Sequence, residues 1–201
     1  MNAMSPESKL TRKEQSHARI LDAASRAIRR AGHSGVGVAD VMKEAGLTHG
    51  GFYAHFASRD DMVAASIGHA GAQSEESLCA YMAKSQQNGA SRFRSLVEGY
   101  LSPQHMANVE SGCVVAALGS EMPRQAEVVC QAARERVTAL MCLVESALPD
   151  SARLGDATHV VSTMVGALQM ARIMGGAEGK ALLAVTRGIL LNLYDSGLKP
   201  H

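Results

Sequence analysis

The residues best suited to functional contacts are concentrated at positions 47–56, which read LTHGGFYAHF. Gly50 and Gly51 let a backbone approach a ligand closely. Thr48 is suited to the N-cap of a helix, where free N–H groups favour anions such as phosphate. Tyr53 and His55 add polar ends to the same short segment. The pattern is typical of a recognition helix that presses its N-terminus into the major groove of DNA.

No pattern of catalytic or metal-binding residues competes with this interpretation. The sequence lacks a Ser/His/Asp order, a phosphate-binding loop and metal-ligand spacing. Its four cysteines, at 79, 113, 130 and 142, lie far apart. We therefore expect no metal, no cofactor and no enzyme activity, in a reduced cytoplasmic protein. A small helical enzyme that uses His105 or Cys113 as base or nucleophile stays open as an alternative.

Composition agrees with a globular protein of one or two domains, with 46% hydrophobic and 19% charged residues in 201. A net charge of +1 means that any DNA binding depends on a local patch. The polar N-terminus is unlike a signal peptide. The absence of an 18-residue apolar run predicts no membrane span.

Local signals divide the N-terminal third into three helices, which a long fourth helix follows. A Thr11 capping box starts a helix that should end at Gly32. A short helix is predicted at 38–45, the recognition helix follows it, and Ser58 should cap a long fourth helix. Two helices around a glycine turn form a helix-turn-helix arrangement. We therefore predict a DNA-binding domain at 11–60 and a helical domain at 61–198.

Three arginines, Arg26, Arg29 and Arg30, lie near the end of the first predicted helix. Cations at a helix C-terminus interact favourably with the helix dipole. We therefore expect all three side chains to be solvated.

Residues 13–65 resemble the N-terminal DNA-binding domain of the TetR family of bacterial regulators. The resemblance rests on the ILDAA run at 20–24, on Gly35, on V-x-x-x-A-G-L-T at 41–48, and on G-x-F-Y-x-H-F-x-S-R at 50–59. Gly37, His49 and Ala54 depart from residues usual in the family. The resemblance implies a regulator that binds double-stranded DNA.

The family resemblance and the residue chemistry suggest the same DNA contacts. The candidate DNA-binding residues are Thr48, His49, Gly50, Gly51, Tyr53, His55 and Arg59. We expect Thr48 and Arg59 to contact phosphates. His49 and the two glycines should approach base edges, whereas Tyr53 and His55 should contact the DNA backbone. Phe52 and Phe56 are expected to be core residues.

The rest of the chain predicts an all-α fold of about nine helices, in which the helix-turn-helix domain precedes a ligand-binding and dimerisation domain. The last two predicted helices are apolar on more than one face and should be buried all round. We interpret them as the interface of a homodimer, a four-helix packing that the family also uses. A fully intramolecular core is the alternative. A two-fold dimer implies a near-palindromic operator.

The resemblance also implies a pocket for an unknown small-molecule effector. The candidate pocket residues are Phe93, Tyr100, His105, Met106, Cys113, Met141, Met164 and Gln169. The expected function is a repressor that a small molecule releases from its operator. A repressor that senses electrophiles or oxidants through Cys113 is an alternative, because Cys113 follows Gly112 at a predicted helix start, where a thiolate is favoured. An architectural DNA binder without a ligand is a further alternative.

Overall fold

Every regular element is helical in the computed structural model, which describes residues 11–195. This range contains nine α-helices and no strand. They are α1 (Arg12–Ala31), α2 (Val38–Glu44), α3 (Arg59–Gln87), α4 (Arg92–Tyr100), α5 (Pro103–Ala107), α6 (Val114–Leu118), α7 (Glu127–Glu145), α8 (Asp156–Met174) and α9 (Gly176–Tyr194). Short 3₁₀ helices span His49–Ala54, Val109–Ser111 and Met122–Arg124. The predicted all-α fold is confirmed.

The first helix begins and ends where its sequence predicts. The Glu14 N–H donates to Thr11 Oγ1 at 3.2 Å, and the Thr11 N–H donates to Glu14 Oε2 at 2.7 Å. This reciprocal pair satisfies two N–H groups that the first helical turn leaves free. The helix ends at Gly32, whose φ is +74°.

The connection between α2 and the 3₁₀ helix at 49–54 is a tight glycine turn. Gly46 has a φ of +68°, a left-handed conformation that glycine adopts without strain. The Arg19 guanidinium of α1 donates to the carbonyl oxygens of Ala45 and Gly46, the second at 3.2 Å. These bonds satisfy carbonyl groups that the end of α2 would otherwise leave free. The first helix therefore fixes the turn that orients the recognition segment.

The predicted recognition helix is a 3₁₀ helix of six residues instead of an α-helix. Two glycines lower helix propensity by about 1 kcal/mol each, and only a short stretch separates the Gly46 turn from Ser58. Phe52 and Phe56 are 2% and 6% exposed and stack at 5.7 Å between ring centroids. Both were expected to be core residues, and their burial holds the segment against the domain.

Two hydrophobic cores lie along the chain. The first joins α1, α2 and the start of α3, and its largest members include Ile20, Ile28, Met42 and Phe52. It also contains Val114 and Leu118 of α6, so packing continues across the predicted boundary near residue 60. The second core is formed mainly by α4, α8 and α9, with α7 and α6 contributing. The domain division at 60/61 stays a prediction.

The side chain of Arg29 was predicted to be solvated and is buried instead, with 4% exposure. Arg26 and Arg30 do lie at the surface, where both pair with Glu44. The helix dipole applies equally to all three arginines. The carbonyl groups that surround Arg29 come partly from residues far away in sequence, and a local rule could not detect them.

Helices α8 and α9 carry an apolar face that residues 11–195 do not cover. Its members are Met170, Ile173, Met174, Val185, Ile189 and Leu193, each about half exposed or more. The opposite faces of both helices are buried in the second core. Among the described residues, no helix is long and apolar enough to cross a membrane.

Candidate nucleic-acid interface and adjoining cavity

The 3₁₀ helix presents most of the predicted DNA-binding residues on one exposed surface. Thr48, His49, Gly50 and Tyr53 are exposed, with Tyr53 at 72%. A Cβ atom at Gly50 would meet no atom within 4 Å. Nothing in the described part of the chain therefore demands glycine there, whereas a flat surface favours close approach to DNA. Gly51 and His55 are partly buried at the edges of this surface.

Thr48 occupies the N-cap position as predicted, with extended backbone, but its side chain makes no capping hydrogen bond. The Gly51 N–H donates to the Thr48 carbonyl oxygen at 3.0 Å instead. The hydroxyl of Thr48 is therefore not committed to a cap.

The His55 ring lies in a small aromatic group at the edge of the predicted DNA-binding surface. Its centroid is 5.7 Å from that of His17, and His17 stacks on Phe56 at 4.8 Å. Burial lowers the pKa of His55 below its usual 6.5, and the nearby His17 and Lys13 lower it further. The buried Nδ1 atom has no hydrogen-bond partner among residues 11–195. Without DNA the ring is therefore mainly neutral at pH 7.

Arg59, a predicted phosphate contact, is engaged within the domain. Its Nε donates to the Val36 carbonyl oxygen at 3.0 Å, and an Nη atom donates to that of His33. Its other Nη atom lies 3.7 Å from an oxygen of Asp60. The guanidinium thus joins the start of α3 to the α1–α2 connection. Its contact with phosphate stays a prediction.

A cavity of about 340 Å³ lies between α3, α4, α5, α6 and α7. Three predicted pocket residues, Tyr100, His105 and Cys113, line it. The structure places the other five elsewhere, because they fill the second core or bond to it. Met164 is fully buried there, and Met106 and Met141 pack against it. Phe93 packs against Tyr194 at 5.5 Å, and Gln169 donates to the Ala116 carbonyl oxygen at 3.2 Å.

Sequence reasoning missed the α3 and α7 sides of this cavity. They include Leu78, Tyr81, Arg136, Leu140 and Leu143, along with Glu75. One available signal was Gly71, since glycine inside a long helix costs about 1 kcal/mol. A Cβ atom at Gly71 would lie 2.1 Å from Cδ of Arg136. The missing side chain gives Arg136 its path across α3.

His105 holds the loop that carries Cys113. Its Nδ1 lies 2.7 Å from the Tyr100 carbonyl oxygen, and its Nε2 accepts from the Cys113 N–H at 2.9 Å. Nδ1 must therefore carry the proton. Burial lowers the pKa of His105 to about 4, although the bond to Tyr100 acts in the opposite direction. Both ring nitrogens are thus occupied by backbone groups.

Arg29 connects the first helix, α1, to the cavity wall. Its Nη1 donates to the carbonyl oxygens of Gly112 at 3.1 Å and Ala70 at 3.4 Å, and its Nε donates to that of Ser25 at 3.0 Å. Burial lowers its pKa to about 10, so it is charged at neutral pH. A second link joins the Glu121 carboxylate to the His33 N–H at 2.9 Å.

An exposed recognition segment on a helix-turn-helix, joined to a helical domain with a cavity, defines a DNA-binding regulator. Residues 20–66 match the family model of bacterial regulatory proteins of the tetR family. The N-terminal part of the chain is therefore a TetR-family DNA-binding domain, and the chain has the fold of TetR-family transcriptional regulators. No curated protein sequence matches the chain significantly.

Solved structures similar to this chain share its fold across both cores. A TetR regulator from Chloroflexus aurantiacus gives a TM-score of 0.74 at 18% identity, covering 91% of this chain and 96% of that one. The reduced form of NemR from E. coli gives 0.71 at 18%, covering 89% and 96%. A regulator from Agrobacterium tumefaciens gives 0.68 at 22%, covering 90% and 98%.

The geometry of His105 predicts a loss of stability in mild acid. The unfolded chain binds a proton at His105 near pH 6.5, whereas the folded chain does so only near pH 4. Between these values the unfolded state holds more protons, so stability falls as pH falls. We expect this group to account for about 2 kcal/mol of lost stability between pH 7 and pH 5.

Urea unfolding of wild type and His105→Gln at both pH values measures this effect. The variant should be less stable at pH 7 but less sensitive to acid. His159→Gln, a change of an exposed histidine, is the matched control and should keep the wild-type difference. Equal pH dependence in wild type and His105→Gln would contradict the assignment.

Proposed function

We propose that the protein is a homodimeric repressor that binds a near-palindromic operator and leaves it when a small molecule occupies the cavity. The single observation that carries the proposal is the exposed recognition segment at 48–55 within the part that matches the TetR family. The cavity of about 340 Å³ supports ligand response over an architectural role without a ligand. Both ring nitrogens of His105 are occupied, which weakens its candidacy as an enzymatic base.

The proposed DNA contacts divide into two kinds. Thr48, Tyr53 and His55 would donate to phosphates and fix the register of the segment on the duplex. His49 and the flat Gly50 surface would face base edges, which carry the sequence information. Selection of bound duplexes from random DNA would define the operator and test its expected two-fold symmetry.

Tyr53→Phe should weaken operator binding by about tenfold, because it removes one hydroxyl donor to a charged phosphate. The loss should be similar for operator and random duplexes, since phosphate contacts carry no sequence information. Thermal stability should not change, because Tyr53 is 72% exposed.

Fluorescence anisotropy at several salt concentrations gives the affinities for this test. Tyr81→Phe is the matched control, because Tyr81 is exposed on α3, in the wall of the cavity rather than in the recognition segment. Its operator affinity should equal that of the wild type. Unchanged binding by Tyr53→Phe would remove Tyr53 from the interface.

The uncovered apolar face of α8 and α9 supports the proposed dimer. Ile173 is 85% exposed and Val185 is 63% exposed in the single chain, and both lie beside further apolar residues. A contiguous apolar surface is typical of a protein interface. Because each copy would present the same two helices, a two-fold axis would close the contact into a four-helix arrangement.

Ile189→Asp should raise the dimer dissociation constant by more than about a hundredfold, because the two-fold axis would bury two unpaired carboxylates. Sedimentation equilibrium measures the change. Leu154→Asp adds the same charge at a fully exposed leucine outside this face and should leave the dimer intact. A dimer that resists Ile189→Asp would place the interface elsewhere.

Arg29 offers a physical route from the cavity to the DNA. The Gly112 carbonyl oxygen that it binds belongs to the loop that precedes Cys113 in the cavity wall. The same guanidinium bonds within α1, and α1 fixes the Gly46 turn through Arg19. Displacement of the loop by a ligand would therefore move α1 and change the spacing of the two recognition segments.

A second candidate function is a repressor that responds to electrophiles or oxidants through Cys113. The supporting observation is that Cys113 lies on the cavity wall, at the N-cap of α6, while remaining 8% exposed. Small reagents could reach it through the cavity, whereas larger ones could not. One of the similar structures is the reduced form of NemR.

Treatment with N-ethylmaleimide tests this candidate in a variant whose other cysteines, at 79, 130 and 142, are changed to serine. Addition at Cys113 should weaken operator binding at least tenfold, since the adduct would displace the loop held by Arg29. Cys113→Ser in the same background should bind DNA normally and ignore the reagent. Full modification of Cys113 with unchanged operator affinity would exclude the sensor role.

A further inference from the structure

The cavity contains a cation that the protein leaves without a partner. Arg136 of α7 lines the cavity, and its buried Nε makes no hydrogen bond. Within residues 11–195 its guanidinium forms no ion pair or hydrogen bond. An unsatisfied buried donor costs about 1–3 kcal/mol, and more when it is charged. An acceptor oxygen placed against Nε would therefore remove this cost.

The path of Arg136 into the cavity depends on a specific gap between helices. The Arg136 side chain crosses α3 at Gly71, where any Cβ atom would lie 2.1 Å from Cδ and 3.1 Å from Nη1. Gly71 is buried inside a helix of 29 residues. The guanidinium is therefore held between α3 and α7 by packing and is preorganised for a ligand.

The cavity also contains the carboxylate of Glu75. Whether water reaches Glu75 and Arg136 indicates which charge the ligand should carry. Glu75 lies one helical turn beyond Gly71 and forms no ion pair with Arg136. Its oxygens make no hydrogen bond, yet they are not among the buried unsatisfied atoms, so water reaches them. Glu75 is thus solvated without a ligand, whereas Arg136 Nε is not.

The remaining lining suits an amphipathic molecule. Leu78, Leu140 and Leu143 offer apolar contacts on the α3 and α7 sides, and Tyr81 adds an aromatic ring. The Tyr100 hydroxyl is a second buried polar group on the wall that forms no hydrogen bond of ordinary geometry. Planar guanidinium groups bind carboxylates through two parallel hydrogen bonds.

We propose that the effector is a small organic acid whose carboxylate pairs with Arg136 while its apolar body packs between α3 and α7. The role of the acid as an effector rests on the proposed function, whereas its binding to the cavity does not. The acid would supply acceptor oxygens to a buried donor that has none within residues 11–195. A cation would leave Arg136 unpaired and repelled.

Isothermal titration calorimetry with the intact protein and no DNA tests the charge preference. The probes are 4-phenylbutyrate and its neutral amide, which have nearly the same size and shape. Wild type should bind the acid about tenfold more tightly than the amide, the difference between a charge-assisted and a neutral hydrogen-bonded pair. Arg136→Gln should reduce that preference to less than about threefold.

Two further variants protect the test from a folding defect. Arg136→Lys keeps the charge but loses the planar fork, so it should retain only part of the preference. Glu75→Gln leaves Arg136 intact and removes from the cavity a negative charge that would repel the acid. It should strengthen acid binding several-fold and leave amide binding unchanged. Circular dichroism confirms that each variant is folded.

The inference is overturned if the amide binds as tightly as the acid, if the preference survives Arg136→Gln, or if the acid does not bind at millimolar concentration. Operator binding with and without the acid separates this result from the proposed function. Acid binding through Arg136 without any change in operator affinity would refute effector release and uphold the ligand class. Operator binding by a protein that does not bind the acid would refute the ligand class and leave the proposed DNA-binding function intact.

Discussion

The buried guanidinium of Arg29 is the interaction on which the relation between the two halves of the molecule depends. It is charged and 4% exposed, so its donors must be satisfied within the protein. Carbonyl oxygens from α1, from α3 and from the Gly112 loop do this. Removing any one of the three would leave a buried donor unpaired. The DNA-binding helices and the cavity wall are therefore held in a single arrangement.

Positioning of the recognition segment follows from the same first helix. Arg19 fixes the Gly46 turn, and Phe52 and Phe56 bury the inner side of the 3₁₀ helix. The segment is too short to be stable alone, since a helix of six residues cannot offset its nucleation cost. Its outer surface is therefore free to carry contact residues, because its stability comes from the inner side.

Burial also explains how the cavity and the apolar face of α8 and α9 differ. Both are apolar surfaces that residues 11–195 leave uncovered, but the cavity is concave and contains a cation with no partner in that range. The face of α8 and α9 presents apolar residues such as Ile173 and Val185 outward on two long helices. A concave site suits a small molecule, whereas a long exposed face suits an equally long partner.

The sequence alone determined features that depend on neighbouring residues. Thr11 and Glu14 fixed the start of α1, Ser58 fixed that of α3, and the spacing around Gly46 identified the helix-turn-helix, because caps and turns are local interactions. Tertiary structure decided the roles that depend on distant partners. Arg29 became a buried junction because Gly112, 83 residues away, supplies a carbonyl oxygen.

The cavity residues likewise depend on partners that are distant in sequence. Tyr100, His105 and Cys113 were among the pocket residues that the family resemblance suggested, and they line the cavity. Arg136 could not be anticipated, because its place on the wall depends on how α7 crosses α3 at Gly71. Helical periodicity tells which face of a helix is apolar, but not which helix covers it. The physical reason is that packing between helices depends on the side chains of both helices at their crossing point, and no single segment encodes both.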